Sequence, residues 1–166
     1  HCAWRCARGW QQNVPPFRGD VDFERALAFV LRWEGGWSDR ADDPGGATMH
    51  GITLGTYTRW RAAHGYAPPS KAALREITDE EVAAIYKAYY WDAADCEMLD
   101  WPLNLAVMDL AVNGGPGVAA EALRYAGSDF ERYMEWRETW YRSLKQFPIF
   151  GAGWLNRCAA LRKEAD

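Results

Sequence analysis

Glu34, Asp42, Asp43 and Thr48 are the residues of this chain whose types and spacing could do chemistry together. Glu34 closes an apolar helical stretch, the two aspartates follow in a Gly/Pro-punctuated loop, and Thr48 stands just beyond. An acid at a helix end, a loop carboxylate and a hydroxyl able to hold water are the parts needed to hydrolyse a glycosidic bond. Leu27, Val30 and Glu34 follow Phe23 by four, seven and eleven residues, so the glutamate is in phase with the apolar face of its helix. At the lip of a core, desolvation disfavours the charged carboxylate, as a general acid requires. The plainer alternative is a glutamate that swings outward to pair with Arg32 or Arg40. Gly35 and Gly36 give a helix-stop signal, with Gly35 expected in the left-handed cap position.

The elements that must position these residues are mostly helical. Asp20 is expected to cap a first helix over 21–34. The loop from Gly35 to Gly51 is too polar and broken for a helix, and Ala47–Thr53 reads as one strand of a small hairpin or sheet. Helical segments follow over 54–64, 71–77, and from a capping box at Thr78–Glu81 to about Trp91. Further helices are predicted over 103–112, 118–125 and 129–145, with Phe147-Pro148 ending the last of these. A terminal helix is expected to start near Gly153. The fold class is therefore mainly α (α+β): a helical bundle with one small β element after the first core helix.

Composition narrows the function. The net charge is −4 and no Lys/Arg run occurs, which argues against nucleic acid as a partner. No apolar stretch approaches the length of a membrane span. Ten Trp, eight Tyr and six Phe exceed what a core needs and suggest a groove lined with aromatic faces. Cys2, Cys6, Cys96 and Cys158 allow three pairings if all are oxidised, although Cys96 and Cys158 read as buried thiols. His1, Cys2 and Cys6 lack a fourth metal ligand at a recognisable spacing. The acidic loop lacks the alternating ladder and distal Glu of a calcium site. No metal or cofactor is expected.

The stretch E-G-G-W-S-D-R-A-D-D-P-G-G-A-T-M-H-G-I-T (34–53) resembles the signature of the glycoside hydrolase family 108 muramidases, E-G-G-Y-x-N-D-x-x-D-x-G-G-x-T-x-x-G-I-T. Y-K-A-Y-Y-W (86–91), L-A-V-M-D-L-A-V-N-G (105–114) and G-W-L-N-R (153–157) are similar to the peptidoglycan-binding region that usually accompanies it. The resemblance spans about Phe23 to Leu161. It implies a lysozyme-like fold and hydrolysis of the β-1,4 bond between N-acetylmuramic acid and N-acetylglucosamine in peptidoglycan. The enzyme is then expected to act as a monomer at the bacterial cell wall, either secreted or released from the cytoplasm like a phage endolysin. Residues 1–19 would be an appendage and 20–166 a single lysozyme-like domain. Within that domain, 20–65 would carry the catalytic segment and about 78–166 the helical, binding-like region.

The resemblance places the catalytic acid on Glu34. Asp43 and Thr48 look like the aspartate and threonine that follow the helix-end glutamate in phage lysozymes, with Asp42 the close competitor. Asp43 is preferred because it directly precedes Pro44, whose ring favours an extended backbone before it. Two departures from the pattern stand out: Trp37 replaces the usual Tyr, and Asp39-Arg40 replaces Asn-Asp. Trp37, His50, Tyr57, Tyr90, Trp91 and Asn113 are the candidate substrate-binding residues. Asp109 and Asn113, four apart, either face the cleft or brace their helix. Competing functions are a lytic transglycosylase, which needs only Glu34, a chitinase or chitosanase, and a non-catalytic peptidoglycan- or chitin-binding module.

Overall fold

The computed structural model of the chain describes residues 18–42 and 45–166. The expected appendage, with Cys2 and Cys6, lies almost wholly outside the described residues, and so does Asp43. Helix α1 (Arg18–Trp33) begins two residues before Asp20, which places that residue within the first turn and not at the position before it. Its buried face is Phe23, Ala26, Phe29 and Val30, with Leu27 and Leu31 partly buried beside it. Neither Gly35 nor Gly36 has a positive φ, so the helix ends without the expected left-handed cap.

Ala47–Thr53 is two short strands, not one. β1 (Thr48–Met49) and β2 (Ile52–Thr53) pair antiparallel, Thr48 with Thr53 and Met49 with Ile52. His50 and Gly51 make the turn with φ of 50° and 77°, the positive-φ pattern of a two-residue hairpin turn. Ser38 bridges to Thr48, tying the start of the loop to the hairpin.

Helices α2 (Leu54–Ala63), α3 (Lys71–Arg75) and α4 (Asp79–Tyr86) follow, each opened by a hydroxyl cap at Thr53, Ser70 or Thr78. The α4 helix runs on as a π-helical turn over Lys87–Asp92. Helix α5 (Leu103–Gly114) is the buried axis: residues 103–111 are all inaccessible, because α1, α6 (Pro116–Ala126) and α7 (Phe130–Ser143) pack around it. Asn104 in α5 donates to Asp22 in α1 at 2.8 Å, a buried polar tie between the two helices. Helix α8 (Phe147–Ala165) starts where the sequence suggested a break. Pro148 lies in its first turn, where a missing N–H costs nothing. Cys96 and Cys158 are buried free thiols.

Candidate active site

Glu34 sits one residue beyond α1, its N–H still bonded to the Val30 carbonyl at 3.1 Å. Its side chain is 20% exposed, at the lip of the core as its helical phase predicts. It is not walled by apolar groups alone. Arg157 from α8 places Nη1 3.0 Å from Glu34 Oε1. Arg157 also grips Asp109 of α5, with Nη2 2.6 Å from Oδ1. Asp109 in turn receives Arg137 of α7, with Nη2 2.6 Å from Oδ2. Arg137 donates further to the Tyr141 phenol at 2.8 Å.

Glu34, Arg157, Asp109 and Arg137 thus alternate in sign and sum to zero, which is how a protein interior holds charge. Burial alone would raise the Asp109 carboxyl, but Arg137 and Arg157 together outweigh it and hold the group below the usual carboxylate range. Asn113 stands exposed at the end of α5, over this network. With its carboxamide oxygen turned inward it accepts from Arg137 Nη2 at 3.0 Å, Arg157 Nε at 3.2 Å and Tyr141 Oη at 3.2 Å.

The hairpin closes the other side of the glutamate. A Cβ on Gly51 would lie 2.7 Å from Tyr86 Oη and 2.8 Å from Glu34 Oε2, so only glycine fits here. Tyr86 Oη donates to the His50 carbonyl at 2.7 Å, fixing the hairpin turn against α4. Tyr90 lies beside Tyr86, ring centroids 5.3 Å apart. Burial pushes both phenols up, and the negative charge of Glu34 adds to it.

The remaining sequence candidates divide. Tyr90 is half-buried and close enough to Glu34 to feel its charge. Thr48 is half-buried on β1, and Trp37 is half-buried with the Arg75 guanidinium 5.6 Å from its ring. His50 contributes its backbone carbonyl to the wall of the site. Tyr57 and Trp91 require correction, because neither can floor a sugar cleft. Tyr57 is buried in the core and donates to Glu81 at 2.8 Å. Trp91 is wholly buried, edge-on to Phe23 at 5.5 Å, with its indole N–H on Glu97. A ring covered on all sides offers no face to a ligand. Asp42 is exposed and paired with Arg40 at 2.8 Å; that arginine holds its carboxyl low. Among the described residues, no group of three or more His, Cys, Asp or Glu could hold a metal ion.

Sequence reasoning did not assign Arg137, Tyr141, Tyr86 or Arg157. A signal was present for the two arginines. Arg137 lies on the buried face of α7 between Tyr133 and Tyr141, and Arg157 lies beside Cys158 and four residues before Leu161. An arginine in phase with apolar neighbours needs a buried partner, as Glu34 did.

Helices packed around a buried axis, with a small hairpin after the first of them, make this a lysozyme-like fold. The sequence model of the glycosyl hydrolase 108 family matches residues 27–115, and the chain belongs to that family. It is similar to a solved structure of SagA from Brucella abortus, at 28% identity and a TM-score of 0.74, over 88% of this chain and 94% of that one. No curated protein matches the chain. Family membership makes it a lysozyme-type glycoside hydrolase that degrades peptidoglycan. Among the described residues no helix is long and apolar enough to cross a membrane.

Proposed function

We propose that the chain is an N-acetylmuramidase in which Glu34 is the general acid. The observation that carries this reading is the Glu34 carboxyl held 3.0 Å from Arg157 between the hairpin turn and α8, partly exposed and fixed on both sides. Glu34, the carboxylate end of the resting network, takes up a proton before the step and passes it to the oxygen that leaves as the bond between N-acetylmuramic acid and N-acetylglucosamine breaks. The carboxylate formed in that step gains charge beside Arg157, an interaction stronger in the transition state than before it. Asp43 orients or deprotonates the attacking water, and Thr48 helps to hold it. Trp37, His50, Tyr90 and Asn113 contact the sugars. Residues 20–166 act as one catalytic unit in this reading, supported by the reach of Arg157 from the C-terminal helix to Glu34.

The test is a digest of purified peptidoglycan followed by mass spectrometry of the fragments. Reducing muramic ends are expected, and Glu34→Gln is expected to remove them while its melting curve stays native. Anhydro ends would replace hydrolysis by a transglycosylase reaction, which needs no Asp43. Near-normal turnover by a well-folded Glu34→Gln variant would remove the glutamate from the mechanism.

A further inference from the structure

Away from the glutamate, one flank of α8 carries a row of rings. Trp154 is half-buried, with its ring centroid 5.0 Å from Tyr141 and 21° from parallel to it. Phe150 follows at 6.0 Å from Trp154, and Phe147 at 6.5 Å. Phe150 is 54% exposed and Ile149 beside it 76% exposed. Phe150, Trp154 and Arg157 are spaced by four and three residues, so they share one helical face. The helix rises about 10 Å from Phe150 to Arg157, the reach of a disaccharide. At its inner end the row meets Arg157, which touches Glu34, and Tyr141, whose phenol faces Asn113. Trp140 lies against the end of α5 in the same neighbourhood, its ring 2.8 Å from where a Cβ of Gly114 would stand.

Single exposed apolar residues are ordinary, but a contiguous set beside a polar site marks a binding surface. Packing between α7 and α8 explains Tyr141 and the inner edge of Trp154. It does not explain Phe150, which remains more than half exposed. We infer that Trp154 and Phe150 form an aromatic subsite that binds sugar rings of the glycan strand on one side of the bond held at Glu34. The inference rests on the hydrolase reading given above. Pyranose rings carry C–H patches that lie against aromatic faces, and the helical face that bears the row ends at Arg157 beside Glu34. A lipid surface fits less well: among the described residues of this flank only Ile149 and Phe150 are large, apolar and exposed, and the net charge of −4 gives no general attraction to anionic headgroups.

The probe is a peptide-free glycan strand of peptidoglycan, in short and long forms. Turnover is measured for wild type, Phe150→Ala, Trp154→Ala and Trp154→Phe. Equilibrium binding is measured by calorimetry with the same substitutions in a Glu34→Gln background. Each alanine variant is expected to raise KM and Kd on the long strand about two- to tenfold, with kcat nearly unchanged. Trp154→Phe should restore most of the loss, and the short strand should respond less. Unchanged KM and Kd would overturn the inference. So would a loss of kcat and melting temperature at constant KM, which is the mark of packing alone. Binding to phosphatidylglycerol vesicles that falls with these substitutions, while glycan binding does not, would also overturn it in favour of a membrane surface. If wild type releases no new ends the hydrolase reading fails by itself, and the Kd comparison still decides the subsite.

Discussion

Asp109→Asn is the most searching perturbation of this molecule. It removes the one negative charge lying 2.6 Å from both Arg137 Nη2 and Arg157 Nη2, where the side chains are 0% and 8% exposed. Removing one partner of a buried ion pair costs about 3–5 kcal/mol. Arg157 keeps Glu34 at 3.0 Å, which offsets its part of the loss. Arg137 keeps only the Tyr141 phenol and the Asn113 carboxamide, so most of the cost falls there. For a chain of this length each kcal/mol shifts the melting temperature by about 2–4 °C, giving a drop of about 6–20 °C. A circular-dichroism melt at neutral pH measures it. The companion variant Asp109→Leu/Arg137→Met removes both charges and leaves Glu34 paired with Arg157. It should be more stable than Asp109→Asn, since a buried pair replaced by apolar groups is often close to neutral. A melting temperature within about 2 °C of wild type for Asp109→Asn, or a double variant no better than the single one, would refute the reasoning.

Other expectations follow from the same geometry. Gly51→Ala should cost about 1–2 kcal/mol for its left-handed backbone. Because its Cβ would also collide with Glu34 and Tyr86, kcat should fall about tenfold or more while the fold survives; rate and melt measured together check this, and an unimpaired rate would dismiss the crowding argument. Acid titration gives a signed test of Asp109. Its folded carboxyl is held below the unfolded value, so its stabilisation is fully present above about pH 4 and is lost as pH falls through the folded value. Stability measured by urea melts should therefore decline below pH 4 in wild type, and this decline should be shallower in the Asp109→Leu/Arg137→Met variant. Cys96 is pushed up to about 12 by burial, with Asp95, Asp92 and Glu97 adding to it. In a Cys2→Ser/Cys6→Ser background a thiol reagent at pH 8 should find no reactive cysteine until the protein is unfolded. Prompt reaction of the native protein would contradict the buried placement of both remaining thiols.

The local elements and the place of Glu34 at the edge of the core were legible in the sequence. The capping box at Thr78 and helical apolar spacing are short-range properties, so the helices from α2 to α7 lie close to their predicted places. The same spacing placed Glu34 at the core's lip, because phase along a helix needs no knowledge of what packs against it. Misplaced elements mark where a local signal has two meanings. Pro148 reads as a stop but serves equally well in a first turn, and His50-Gly51 turns a segment that looked like one strand. Which rings are core and which stay partly open depends on packing between elements distant in sequence. Tyr57, Trp91 and Trp154 are alike as residues on helices, and burial from neighbouring elements alone separates them. Packing also settles what Glu34 faces. Arg157 is 123 residues away in sequence, and Asp109 joins the two arginines only because α5 lies against α7 while α7 packs against α8. Charge pairing inside a core depends on distance in space and low local polarity, and spacing along the chain encodes neither.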